Sequence, residues 1–228
     1  MTKRKRARLA RARRSPRSPR DAQPETEQKI LDAARRVFVR RGTAGARMQE
    51  IAAEAGVNQA LLHYYYRSKE RLSAAVFAQF ASRLIPTVVG ILGSDASLDD
   101  KVDRVVAAYL KNLSQNPFLP GYVLSEMHHH PERVQQLVGS LAGGEPSRMM
   151  SPVFTQLQQQ IDERVAAGAM RPISAHQFTV NLLSLCVFPF AARPMLGIML
   201  GFNDASFARF IEQRRTELPA FFRNALRP

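Results

Sequence analysis

The sequence has a single cysteine, Cys186, in 228 residues. One thiol cannot close an internal disulfide or build a cysteine-based zinc site. It fits a reducing compartment, so a cytoplasmic protein is expected. Acid is scarce as well: 19 Asp and Glu stand against 33 Lys and Arg, for a formal charge of +14. The shortage is local. Residues 1–20 carry ten Lys or Arg and no acid, which leaves +4 for the other 208 residues. The charge therefore describes an N-terminal arm, not a globally basic body. Residues 1–24 include the interrupted tract SPRSPR and are too polar and self-repelling to fold alone. They read as a disordered arm that adds salt-sensitive phosphate contacts, or as a solvated tail. No apolar core follows the charged start, so a secretory signal is not expected.

Long hydrophobic runs are missing too. The most apolar stretch, residues 177–202, is interrupted by Pro189, Arg193 and Pro194, whereas a membrane span needs about 20 predominantly apolar residues. It reads as buried helix, and no membrane partner is expected. The sequence shows no strand alternation, no tandem repeat, no glycine loop flanked by a strand pattern and no nucleophile elbow. Cys186 lies in an apolar helix, where a buried thiol is inert. His128, His129 and His130 are consecutive and cannot converge on one point of a helix, whose neighbours differ by about 100°. Glu126 and His130 do have the i, i+4 spacing of helical metal pairs; the other reading is a helix C-terminus where histidine caps carbonyls. No catalytic residue, cofactor or metal is expected, and the chain reads as a non-enzyme.

What the sequence does have is helical periodicity. Ile30, Ala33, Ala34, Val37 and Phe38 form one apolar stripe on a helix from Glu25 to Arg41, stopped at Gly42. A second short helix, Arg47 to Ala55, aligns Met48, Ile51, Ala52 and Ala55 on one face. Gly56 ends it, because glycine takes the left-handed conformation cheaply. Asn58 is a good N-cap for a third helix from Gln59 to about Tyr66. Leu62 and Tyr66 then face inward, and Gln59, His63 and Tyr64 outward. Two short helices about a glycine corner make a helix-turn-helix, whose second helix enters a major groove.

The stretch IAAEAGVNQALLHYYYRSKERL resembles the TetR family of bacterial transcription regulators, which typically reads I-A-x-x-A-G-V-S-x-G-x-L-Y-x-Y-F-x-S-K-E-x-L. Ile51, Ala52, Ala55, Gly56, Val57, Leu62, Tyr65, Ser68, Lys69, Glu70 and Leu72 match. Asn58, Ala60, His63 and Tyr66 replace the usual Ser, Gly, Tyr and Phe, and Arg47 stands where Thr is common. The resemblance covers about Thr26 to Leu72. It implies an all-α fold, with an N-terminal three-helix head over residues 25–72 and a C-terminal bundle for ligand binding and dimerisation over 73–228. It also implies a double-stranded DNA operator, a small-molecule effector and a homodimer. Gln59, His63 and Tyr64 are expected near bases; Arg47, Gln49, Tyr65 and Lys69 nearer phosphates, with Asn58 beside them at the start of the reading helix.

Beyond the head, a long helix starts at Ser68 and runs to about Leu92, with Pro86 expected to kink it. Helices follow over about 98–113, 118–129, 132–141, 151–167, 174–192 and 204–226, with a loop at 142–146 and Ser151-Pro152 as a helix start. The 151–167 and 174–192 pair resembles the family's dimerisation helices, and the apolar residues Leu182 to Phe190 cover more than one face of the second. Tyr109, Phe118, Tyr122, Met127, Met149, Met150 and Phe154 are candidate pocket residues, Met suiting an adaptable site. The rival functional readings are a nucleic-acid packer driven by the arm and a metal-binding protein using His128 to His130.

Overall fold

The first apolar stripe is completely sequestered: Ile30, Ala33, Ala34, Val37 and Phe38 each expose 0% of their surface. They belong to α1 (Pro19–Gly45), the first of eleven helices in a computed structural model that describes residues 19–228 and contains no strand among them. The others are α2 (Met48–Ala55), α3 (Gln59–Tyr65), α4 (Lys69–Leu92), α5 (Leu98–Gln115), α6 (Leu119–His129), α7 (Pro131–Ala142), α8 (Pro146–Ala166), α9 (Ala175–Ala191), α10 (Arg193–Leu200) and α11 (Asp204–Ala225).

Local signals set most helix ends. Gly42 takes φ 67° and ψ 169°, which breaks the helical run of α1 there. Gly56 caps α2 in the left-handed region at φ 67° and ψ 30°. The Asn58 side chain accepts from the Leu61 amide at 2.7 Å and so caps α3. Ser68 does the same for α4 through the Arg71 amide at 3.3 Å. Asn203 and Ser206 form a reciprocal capping box at the start of α11.

Three boundaries differ from expectation. α1 begins at Pro19, inside the segment 1–24 expected as an arm; proline is tolerated as a first helical residue, where no amide partner is needed. Residues 1–18 of that arm lie outside the described residues. α8 starts at Pro146, not Ser151, which shortens the expected 142–146 loop; Pro152 sits inside the helix on its exposed side. α4 continues through Pro86 and ends at Leu92, as expected. Pro194, read as a breaker, instead stands in the first turn of α10, a helix not expected at all.

Two cores result. The head core joins α1, α2 and α3 to the first turns of α4 through Ile30, Phe38, Ile51, Leu62, Tyr66, Leu72 and Val76. The body core surrounds α5, with Val105, Val106 and Leu110 facing Leu157 and Ile161 of α8, Phe178 and Leu182 of α9, and Ile211 and Phe222 of α11. α4 spans both, giving Leu72 and Val76 to one and Leu84, Val88 and Leu92 to the other. Among the described residues it is the one helix long and apolar enough by itself to cross a membrane, but its apolar face is used inside these two cores. The apolar stretch around 177–202 is split into α9 and α10, bent by 69°.

Polar groups in the body are placed where backbone needs them. Pro189 has no N–H, so the Leu185 carbonyl four residues back lacks its helical partner. Arg214 of α11 supplies two donors to that oxygen, at 2.9 and 3.3 Å. Lys101 is fully buried and donates to Gln160 Oε1 at 2.6 Å; burial lowers its pKa. Cys186 is likewise buried, and that burial pushes its thiol up to about 12.

Candidate nucleic-acid interface

α3 divides cleanly into two sides. Leu62 is fully buried and Tyr66, just past its end, exposes only 8%. Gln59, Ala60, His63 and Tyr64 are exposed, Tyr64 at 73%. With seven residues, α3 is held by its neighbours rather than by its own propensity. α2 packs behind it, anchored to α1 by Glu54, which accepts from Arg36 at 2.6 Å and Arg40 at 2.7 Å. Those two donors hold the Glu54 carboxyl below its ordinary pKa. Tyr66 donates to Glu27 Oε1 at 3.0 Å, and burial followed by the Glu27 carboxylate raises its pKa.

The expected contact residues fall into three groups. Arg47, Gln49, Asn58, Gln59, His63 and Tyr64 are exposed around the α2–α3 corner. Tyr65 is half-buried; its hydroxyl donates to the Gln23 carbonyl at 3.4 Å, and its ring meets Tyr64 edge-on at 5.6 Å. Lys69 has an additional job. Its Nζ donates to the carbonyls of Ala44 at 3.0 Å and Ala46 at 3.2 Å, tying α4 to the link between α1 and α2. Two of its three protons are thus committed inside the protein. Sequence reasoning passed over Arg67, an exposed cation immediately after α3 with no carboxylate partner among the described residues; its position beside the helix was the available signal. The surface offers amide, imidazole, phenol and guanidinium groups, suited to base edges and phosphate oxygens.

Two family models match this chain. That of the bacterial regulatory proteins, tetR family, matches residues 30–76. The tetracyclin repressor-like C-terminal domain matches residues 99–217, more than half the chain. The chain belongs to the tetR family. As a tetR-family protein it is a DNA-binding transcription regulator built from a helix-turn-helix head and a helical body. The HTH-type transcriptional regulator BetI of Rhizobium meliloti is 33% identical over 167 residues, covering 71% of this chain and 81% of that protein. Two solved structures show the same fold. A TetR transcription regulator from Haloarcula marismortui superposes with a TM-score of 0.57 at 19% identity, covering 89% of this chain and 98% of that one. A linker-substituted mutant of HlyIIR gives 0.56 at 22% identity, with coverages of 90% and 97%.

The seven candidate pocket residues of this tetR-family chain do not form one site. Tyr122 lines a groove of about 510 Å³ between α4, α6 and α7. Met150 and Phe154 line another, of about 780 Å³, along α8, where Phe154 stacks on His176 at 4.3 Å. Tyr109 packs on the body core. Phe118 packs instead on the head core, 5.6 Å from Phe38. Met127 is 54% exposed, and Met149 is half-buried. Helical periodicity gives a residue's face but not its neighbours, hence the scatter. His129 Nδ1 lies 2.8 Å from the Ser125 carbonyl, as a helix-end cap would. Among the described residues no three His, Cys, Asp or Glu side chains gather where they could hold a metal.

Proposed function

We propose that this protein is a homodimeric repressor that reads a pseudo-palindromic operator with one α3 per subunit and is released by a small molecule. It acts in the cytoplasm as a binding protein without a chemical step. The observation that carries the reading is the two-sidedness of α3, which turns Gln59, His63 and Tyr64 outward while Leu62 and Tyr66 hold it in the head core. Gln59, His63 and Tyr64 take the bases, and Arg47, Gln49, Asn58 and Tyr65 the flanking backbone, joined by Arg67. The division into a head over 25–72 and a body over 73–228 is supported by the two cores, with α4 carrying Val76 of the head core one turn past that boundary. A bound effector favours a state whose heads are badly spaced for DNA, and affinity falls by that preference.

The dimer contact is proposed on α9, within the expected 174–192 stretch. Val180 and Phe188 there are 60% and 55% exposed. The expected partner stretch, 151–167, turns Val153, Leu157 and Ile161 into its own core. Exposed apolar side chains also stand on α10, Ile198 at 87% and Met199 at 71%, and exposed apolar surface of this kind marks an interface. The test is selection of bound sequences from a genomic DNA pool, repeated with residues 1–18 deleted. A regulator yields the same two-fold motif from both proteins. A packing protein loses nearly all binding with the arm and yields no motif.

A further inference from the structure

Three small residues on one side of α4, Ala74, Ala75 and Ala78, leave room against α6 and α7 for the groove of about 510 Å³. Its walls are apolar: Phe77 from α4, Tyr122 from α6, and Val134 and Leu137 from α7. The Phe77 and Tyr122 rings lie 5.9 Å apart. One turn on from Tyr122 stands Glu126, whose side chain is only 15% exposed. Among the described residues its one ion pair is a long one, 3.6 Å to Arg133 Nη1, and its carboxylate accepts no hydrogen bond. Arg133 itself is on the rim, with 46% of its side chain exposed. The groove therefore holds a sheltered negative charge with unused acceptor capacity, next to two aromatic rings. Rings and a shielded carboxylate both favour a cation, and both act more strongly where water is thin.

We propose that this groove is the effector site and that its ligand is an organic monocation with an apolar body, the charge resting on Glu126 beside Phe77 and Tyr122. This rests on the effector-release reading above. The location also explains how occupancy reaches the head. α6 starts directly after Phe118, whose ring sits on Phe38 in the head core, and α4 itself carries Leu72 and Val76 of that core. A ligand that wedges α6 from α4 displaces both connections at once.

The test is calorimetric titration of the full-length protein with three probes of similar size: benzyltrimethylammonium, neutral N,N-dimethylbenzamide and anionic benzylsulfonate. The cation is expected to bind at least tenfold more tightly than either of the others. Glu126→Gln should abolish that preference, Arg133→Gln should strengthen cation binding several-fold by freeing the carboxylate, and Ala78→Leu should fill the groove and abolish binding. No heat with the cation at millimolar concentration, tighter binding of the anion, or weakened cation binding in Arg133→Gln would overturn the proposal, as would cation binding unchanged in Glu126→Gln. Anisotropy of a labelled operator separates the two readings. Cation binding that follows this substitution pattern but leaves DNA bound keeps the site and removes its effector role. Release by another compound that persists in Ala78→Leu keeps effector release and removes this groove.

Discussion

Replacing Lys69 by methionine distinguishes a brace from a phosphate contact. The ammonium group holds the Ala44 and Ala46 carbonyls at 3.0 and 3.2 Å. The first bond is near solvent, and water can take the place of the lost donor. The second is partly buried beside Ala46, which is only 3% exposed. A sheltered carbonyl left without a donor costs about 1–3 kcal/mol. A loss of about 2 kcal/mol corresponds to a fall of roughly 4–8 °C in Tm for a chain of this length. Thermal melts at one fixed protomer concentration measure it, since dissociation of a dimer is coupled to unfolding. DNA affinity should fall alike on all sequences, because the head as a whole is loosened. The salt dependence decides the mechanism. Losing a lysine from a phosphate reduces the magnitude of the slope of log K against log salt by about 0.9, hence about 1.8 for a dimer; losing a brace leaves the slope alone. An unchanged Tm together with a slope reduced by about 1.8 would refute the brace.

Other outcomes follow from the same structure. Gln59→Ala should relax preference at one base position in each half-site by about 1–3 kcal/mol; equal losses on every duplex would show that Gln59 does not read sequence. Asn58→Ala removes the cap on the Leu61 amide and should cost about 1 kcal/mol, read as faster amide exchange in α3, and unchanged exchange would contradict the capping role. Cys186 and Tyr109 are both pushed up to about 12 by burial, from ordinary values of 9 and 10. Above pH 9 the unfolded chain therefore sheds protons that the folded chain keeps, and stability falls as pH rises toward 12, at up to about 1.4 kcal/mol per pH unit for each group. Urea midpoints from pH 8 to 11 test this, with Cys186→Ala delaying the onset; a flat profile would rule it out.

The head was legible because its instructions are local. Gly42 and Gly56 announce breaks that only a positive φ completes, Asn58 caps within three residues, and Leu62 and Tyr66 repeat at helical spacing. The body was less so. Pro146 and Pro152 are equally good starts for α8, and nothing local in the sequence chooses between them. Pro194 reads as a terminator but serves as an initiator, so α10 went unseen. Contacts between distant residues left no local trace: Lys69 with Ala44 and Ala46, Phe118 with Phe38, and Glu54 with Arg36 and Arg40 each join segments whose proximity exists only after folding.

The pairing of Pro189 with Arg214 fixes an order on how these two positions can drift. If alanine replaces the proline first, α9 regains an amide for the Leu185 oxygen and the guanidinium becomes dispensable. If the arginine goes first, that oxygen is stranded at about 1–3 kcal/mol. Lineages therefore have one cheap path and one expensive one between the same two end points, and the imino acid must be surrendered before its clasp.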